Sequence, residues 1–211
     1  RGDPGGALAA AISPDGTRLA YVASLQGDRT QIYLRPLEGL DAKPIPGTEG
    51  ASAPFFSPDG QWLGFFAEGK LKKISISGGT VVSLADATDA RGGSWGDVGE
   101  IVFAPTRGSP LHLVSDTGGA ARPISRFGNG ENSHRWPQVL PGGRMVLFAA
   151  LRSGSNWENA TIAIQSLDTG ERRDIVQGGS HPQYTPSGHL VYARGQTLMA
   201  AAFDIDRLTV R

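Results

Sequence analysis

Short apolar runs recur along the chain, each directly after a turn-forming tetrapeptide. A Ser-Pro-Asp-Gly turn at 13–16 precedes the apolar run 19–22, and an identical turn at 57–60 precedes the run 63–66. Weaker copies end at later glycines, and the closing glycines stand 44, 39, 44 and 45 residues apart (Gly16, Gly60, Gly99, Gly143 and Gly188). A period of about 40–45 residues is typical of propeller blades and other repeated structural units.

The second repeat predicts four short strands. Residues 51–56 form a first strand, which ends in a turn with proline and glycine at the positions that favour them. Residues 61–67 form a second strand that is apolar on both faces, as expected for a strand buried on both sides. Residues 71–76 alternate, and Gly78-Gly79 predicts a hairpin into a fourth strand over 80–84.

The same order in every repeat predicts an all-β fold, since no stretch has helical periodicity of useful length. We expect a single β-propeller domain over residues 1–211, built of five four-stranded repeats. It is either a five-bladed ring or five blades of a larger propeller. Unpaired terminal blades would expose apolar faces and permit self-association. The repeats span approximately residues 7–46, 51–85, 91–125, 134–177 and 181–211.

Composition narrows the classes of function. Twenty basic residues balance twenty acidic ones, so the chain lacks the basic surface typical of nucleic-acid binding. There are no cysteines, which excludes disulfides, thiolate metal sites and a cysteine nucleophile. No apolar stretch approaches the roughly 20 residues needed to cross a bilayer, so we expect no membrane insertion by this segment. We also expect no cofactor and no metal.

Several longer segments carry a family likeness. The Ser-Pro-Asp-Gly turn with its following apolar strand resembles the TolB-like, WD-type propeller repeat of bacteria. Essentially the whole chain resembles the propeller that follows the kinase and membrane segments of many bacterial serine/threonine protein kinases. The segments that carry this likeness include Leu34-Arg35-Pro36-Leu37, Pro54-Phe55-Phe56, Gly92-Gly93-Ser94-Trp95, His134-Arg135-Trp136-Pro137-Gln138, Gly188-His189-Leu190-Val191-Tyr192 and Leu198-Met199-Ala200-Ala201-Ala202-Phe203-Asp204.

The resemblance implies a non-catalytic sensor or interaction domain on the extracytoplasmic, periplasmic side of a bacterial membrane. Members of this kind usually continue into at least one further blade after the position of Arg211, which favours five blades of a larger propeller. None of the kinase motifs is present in the chain, neither a His-Arg-Asp loop nor an Asp-Phe-Gly triplet.

One segment matches a catalytic motif by pattern. Residues 92–96 read Gly-Gly-Ser-Trp-Gly, which fits the Gly-x-Ser-x-Gly nucleophile elbow. That elbow requires a strand-to-helix turn behind the serine, whereas here the next predicted element is another strand. We therefore interpret Ser94 as part of a first strand that enters its turn.

Two histidines lie where the repeats place the innermost strands. Alignment on Pro54, Pro137 and Pro182 puts Ala53, Trp136 and His181 at one level, near the predicted central channel. Hydrogen-bond donors at the channel mouth would suit an anionic ligand, and Glu49 lies nearby as an acceptor. The alternative is that these polar groups make hydrogen bonds between blades. The candidate ligand-binding residues are Arg91, His134, Arg135, His181 and Glu49, and we expect no catalytic residue.

Three functions are compatible with these patterns. The first is a sensor or interaction module that binds a protein or small-molecule ligand through its loops or channel mouth. The second is an enzyme, either a propeller hydrolase or lyase, or the accessory propeller of a prolyl-oligopeptidase-like peptidase. The third is a structural oligomerisation unit that associates through open blade edges.

Overall fold

The computed structural model describes residues 9–24 and 29–210, which form five four-stranded antiparallel sheets. Each sheet is a meander of four consecutive strands, so each predicted repeat corresponds to one blade. The first two residues of the predicted first repeat, 7 and 8, and Arg211 lie outside the described residues. Within the described ranges there is no α-helix, only one 3-10 turn at Trp157–Asn159, and no helix long and apolar enough to span a membrane.

The strand bounds follow the predicted repeats. Blade one contains β1 Ala10–Ile12, β2 Arg18–Ala23, β3 Gln31–Pro36 and β4 Lys43–Pro44. Blades two and three contain β5 Ser52–Phe56, β6 Trp62–Ala67, β7 Lys70–Ser75, β8 Val82–Asp86, β9 Gly93–Trp95, β10 Glu100–Phe103, β11 His112–Ser115 and β12 Arg122–Pro123. Blades four and five contain β13 Glu131–Val139, β14 Met145–Arg152, β15 Thr161–Ser166, β16 Arg172–Gln177, β17 Ser180–Thr185, β18 His189–Arg194, β19 Thr197–Asp204 and β20 Thr209–Val210.

The first strands are the innermost ones. β1 contacts β5, β5 contacts β9, β9 contacts β13, and β13 contacts β17. The first strands therefore surround the propeller axis, and the later strands of each blade lie progressively farther out. This arrangement confirms the predicted all-β fold as a five-bladed propeller.

In blades two, three and four the second strands are buried on both faces, as expected for apolar runs that do not alternate. In β6, residues 63–67 are all buried, and in β14 residues 146–150 are all buried. Alternate side chains of β14 belong to two different apolar clusters: Val146 and Phe148 pack toward blade three, whereas Leu147 packs toward blade five. Blade four is therefore held by blades three and five, one on either side.

The apolar clusters lie at four of the five blade boundaries. One cluster joins each successive pair of blades from one to five. Among the described residues no such cluster joins blade five to blade one. Ile12 on β1 and Leu198 on β19 are instead 61% and 75% exposed, and the exposed Ala200 and Ala202 alternate with the half-buried Met199 and Ala201 on the same strand as Leu198.

The two Ser-Pro-Asp-Gly turns have the same hydrogen bonds. The Ser13 hydroxyl donates to Asp15 Oδ1 at 2.5 Å and accepts from the Arg18 N–H at 2.9 Å. The Ser57 hydroxyl donates to Asp59 Oδ1 at 2.5 Å and accepts from the Trp62 N–H at 2.9 Å. The serine thus connects the turn aspartate to the first residue of the second strand, which explains why serine and aspartate occur together.

A left-handed residue recurs at one position of the innermost strand. Ala53, Gly92, Trp136 and His181 occupy the same position in four repeats, with φ of 46°, 101°, 50° and 51°. In blades two, four and five this residue lies within a β-bulge of the pairing between the first and second strands. A side chain in this conformation costs about 1–2 kcal/mol, so three of the four blades carry local backbone strain at the channel.

This strain can be measured by glycine substitution. Ala53→Gly removes a buried methyl group but relieves the left-handed strain, so we expect a change of less than about 0.5 kcal/mol in the free energy of unfolding. Ala67→Gly removes a similarly buried methyl group from ordinary strand backbone and should cost about 1–2 kcal/mol. Urea unfolding of both variants provides the measurement. Equal destabilisation by the two would show that residue 53 is not strained.

Candidate functional site

The bulge residues of blades four and five stack on each other at the channel. The rings of Trp136 and His181 have centroids 3.7 Å apart and planes inclined by 26°. Trp157, from the 3-10 turn between β14 and β15, packs edge-on against Trp136 at 4.4 Å. Trp136 is buried, whereas Trp157 and His181 are half-buried and keep part of their surface accessible. Three aromatic rings from separate elements therefore form one surface.

Arg135 is fixed against this surface. Its Nε donates to the Ser133 hydroxyl at 2.9 Å, and its guanidinium group donates to the Arg107 carbonyl at 3.3 Å. The guanidinium carbon lies 4.4 Å from the centroid of the Trp157 ring, a cation–π distance. The guanidinium group of Arg135 is thus held in one place by side-chain, backbone and ring contacts.

Arg91 comes from blade three and meets blade four through the backbone. Its carbonyl accepts a hydrogen bond from the Trp136 N–H at 2.9 Å, and its guanidinium group pairs with Asp89 at 2.6 Å. Asp89 also pairs with the exposed Arg107 at 3.2 Å. We use the name aromatic–arginine cluster for Arg91, Arg135, Trp136, Trp157 and His181. Asp89 thus bridges the guanidinium groups of Arg91 and Arg107 beside this cluster.

His134 lies away from this accessible surface. It is fully buried, and its ring packs against Phe127 and Phe148 at 5.0 and 4.7 Å. Its Nδ1 lies 2.7 Å from the Ser125 hydroxyl and its Nε2 lies 3.0 Å from Glu131 Oε2. Burial lowers the pKa of His134, which opposes the raising effect of Glu131. The neutral ring then accepts from Ser125 and donates to Glu131.

Glu131 connects this histidine to a half-buried ion pair with Arg172. Its two carboxylate oxygens accept from the Arg172 guanidinium group at 2.7 and 2.8 Å, and the Gly128 N–H donates at 2.7 Å. Burial alone raises the pKa of Glu131, but the hydrogen bonds from Arg172, His134 and Gly128 outweigh it and lower this pKa to about 2. The carboxylate is therefore ionised throughout the physiological range.

The other candidates occupy separate places. The carboxylate of Glu49 is exposed and accepts from the side-chain amide of Gln31, at the start of β3, at 3.0 Å and from the Gly47 N–H of its own loop at 3.2 Å. The Ser94 hydroxyl accepts from the Val139 N–H at 2.9 Å, which joins blades three and four. Strand β10 follows its turn, so the structural interpretation of Ser94 is supported.

Of the five residues predicted to bind a ligand, the structure brings Arg91, Arg135 and His181 to one region. His134 lies in the interior and Glu49 in the loop before β5. Trp157 was missed, because it lies in a polar loop outside the repeat pattern; an isolated tryptophan in such a loop was the available signal. No group of three or more His, Asp or Glu side chains in the described ranges is arranged to hold a metal ion.

Comparison with known proteins agrees with the fold. No protein-family model matches the chain. It is 27% identical over 146 residues to the uncharacterized peptidase YuxL of Bacillus subtilis, with 65% of this chain and 21% of the peptidase covered. Its structure is similar to that of TolB from Acinetobacter baumannii, with a TM-score of 0.75, 23% identity, and coverage of 94% of this chain and 52% of TolB.

A further structural neighbour is an enzyme. The oligogalacturonate lyase from Vibrio parahaemolyticus aligns with a TM-score of 0.65 and 14% identity, over 97% of this chain and 64% of the lyase. The chain thus spans about a fifth of the peptidase and about half of TolB. At these identities the structural likenesses establish a TolB-like propeller fold and nothing about activity.

The Glu131 network should make stability depend on pH. The pKa of this carboxyl is lower in the folded state than its ordinary value of 4.5, so its contribution is fully present above about pH 4.5 and is lost as pH falls toward 2. Glu131→Gln should lower the free energy of unfolding at pH 7 by about 2–3 kcal/mol, because Arg172 loses its bidentate partner. The variant should also lose less stability than the wild type on further acidification.

Urea unfolding between pH 7 and pH 3 tests this expectation, with the exposed Glu38→Gln as the matched control. The pKa of His134 is lower in the folded state than its ordinary value of 6.5. Below about pH 6.5 the unfolded state therefore binds a proton that the folded state does not, which adds a further loss of stability in wild type and control alike. Parallel curves for Glu131→Gln and wild type below pH 4.5 would contradict the assigned role of Glu131.

Proposed function

We propose that this domain is a non-catalytic interaction module that binds an anionic group of a protein or small-molecule ligand at the aromatic–arginine cluster. The observation that carries the proposal is the convergence of Arg91, Arg135 and His181 with Trp136 and Trp157. These residues come from three blades and one loop, and two of them are in a strained left-handed conformation. Strained residues concentrate at binding and catalytic sites.

The accessible groups would recognise a carboxylate or phosphate next to an apolar or planar group. Trp157 and His181 are half-buried and offer accessible ring surface. The buried Arg91 and Arg135 lie behind this surface, and the carbonyl of the exposed Arg107 accepts a hydrogen bond from Arg135. Guanidinium groups bind planar anions through paired hydrogen bonds, and desolvated aromatic rings supply contact area.

A non-catalytic role is supported by what the nearby reactive side chains already do. The Ser94 hydroxyl accepts a hydrogen bond from the backbone of the next blade, and His134 is enclosed with both ring nitrogens in contact with partners. Neither side chain is arranged with the other as a nucleophile and base.

Variants of the cluster test the proposal. Acidic peptides and small organic anions are screened for ligands that raise the melting temperature of the domain. We expect His181→Ala and Trp157→Ala each to weaken binding of such a ligand by about tenfold, since each removes a direct contact. The matched control is His189→Ala, which removes an exposed histidine elsewhere in blade five. If His181→Ala and Trp157→Ala bind the ligand as tightly as the control His189→Ala, binding at this cluster is refuted.

We also propose that the propeller is the extracytoplasmic sensor region of a bacterial membrane-anchored serine/threonine kinase. The sequence segments that resemble kinase-associated propellers support this assignment. The encoding gene distinguishes it from the alternative: a sensor requires a kinase domain and a membrane helix upstream, whereas an accessory propeller of a peptidase requires an α/β-hydrolase domain. The local similarity to YuxL is the observation that favours the peptidase.

Self-association is a further candidate role. The exposed Leu198, Ala200 and Ala202 of β19 form an apolar row on a face that other blades bury against a neighbour. An exposed apolar sheet face favours association. Light scattering should then give a dimer or larger species that Leu198→Glu converts to monomer, with the exposed Leu40→Glu as control. A monomeric wild-type chain at about 100 μM would contradict this role.

A further inference from the structure

The end of the propeller that carries the Ser-Pro-Asp-Gly turns contains a cleft between blades two and three. Its volume is about 320 Å³, and the turns 57–60 and 96–99 form its walls. Because the first strands run from the aromatic–arginine cluster toward these turns, the cleft opens at the opposite end of the propeller. We call it the turn cleft. Its main side chains are Asp59, Trp62, Lys73, Trp95, Asp97 and Asp116.

A cation already lies in this cleft. The Lys73 ammonium group is 4.8 Å from the centroid of the Trp62 ring and 5.7 Å from that of Trp95. Lys73 forms no ion pair with a carboxylate of the described residues. Its charge is therefore stabilised by the electron-rich faces of two indole rings, which attract cations.

The carboxylates of the cleft retain free acceptor capacity. Asp59 accepts from the Ser57 hydroxyl and the Gln61 N–H through Oδ1, and these bonds lower its pKa. Asp97 accepts from the Gly142 N–H of blade four at 2.8 Å through Oδ2. Asp116 makes no side-chain hydrogen bond or ion pair with any described residue. Asp59 and Asp97 are thus each held through one carboxylate oxygen, and their other oxygen can still accept a hydrogen bond. Both oxygens of Asp116 can accept one.

We propose that the turn cleft binds a basic group, a guanidinium or alkylammonium, supplied by a peptide side chain or a small organic cation. Three carboxylates and one ammonium leave the cleft with a local charge of −2. A neutral or anionic ligand would desolvate these carboxylates without a compensating charge. A guanidinium group can bridge carboxylates through its planar donors and also stack on an indole ring.

The change in affinity when the charge of Lys73 is removed distinguishes a cationic ligand from an anionic one. An incoming cation is repelled by the Lys73 ammonium group, so removal of this charge should strengthen binding. An anionic or zwitterionic ligand would instead use Lys73 as a partner, and the same substitution would weaken its binding. The proposal is independent of the aromatic–arginine cluster, since none of that cluster's residues lines the cleft.

The four tryptophans provide a local readout by NMR. Two line the turn cleft, Trp62 and Trp95, and the other two lie in the aromatic–arginine cluster. Titration with the peptide acetyl-Gly-Arg-Gly-amide should shift the indole N–H signals of the first pair and leave the second pair unchanged. The neutral acetyl-Gly-Gln-Gly-amide is the matched control ligand. Titration with methylguanidinium shows whether the free cation suffices or the peptide backbone contributes.

Three variants complete the experiment. Asp116→Asn should weaken binding of the arginine peptide about fivefold, and Lys73→Gln should strengthen it by a similar factor, because single charge-assisted contacts change by this order. Asp168→Asn, an exposed turn aspartate of blade four, should leave binding unchanged. The proposal is overturned if the glutamine peptide produces equal shifts, if Lys73→Gln weakens binding, or if Asp116→Asn has no effect.

Discussion

Burial of both faces of the three inner blades is the constraint on which the rest of this structure depends. A second strand such as β6 is apolar throughout and becomes stable only when a neighbouring blade covers each face. Tight packing between blades then restricts side-chain size. A Cβ at Gly64 would lie 2.3 Å from the Phe55 ring, and a Cβ at Gly93 would lie 2.7 Å from it. One phenylalanine thus requires glycine on its own sheet and on the next.

The same packing determines which polar residues reach the channel. Two positions before each left-handed residue, the chain has Ala51, His134 and Gly179 in blades two, four and five. Ala51 is 1% exposed, His134 is fully buried, and a Cβ at Gly179 would lie 2.7 Å from Tyr192. This position therefore points between blades in each of these repeats. His134 follows the same rule and needs Ser125 and Glu131 to satisfy its ring nitrogens.

Most of the architecture could be predicted from the repeat, because turn chemistry and double burial both leave local patterns. The level shared by Ala53, Trp136 and His181 was also predictable from the three prolines, and the structure gives all three the same left-handed backbone. Two features were not predictable. The bulge adds one residue to the first strand and so changes which side chains before it face the channel. The alignment of the repeats did not reveal this extra residue. Trp157 approaches from an insertion whose path depends on tertiary contacts.

The balanced charge of the chain conceals a local imbalance in the turn cleft. Beside the aromatic–arginine cluster Arg91 and Arg107 pair with Asp89, whereas in the turn cleft three carboxylates accompany one lysine. The two regions lie at opposite ends of the innermost strands, roughly 15 Å apart by strand rise and beyond a Debye length at physiological salt. Charges in one region are therefore largely screened from the other, and a neutral total charge does not report the local charge of either region.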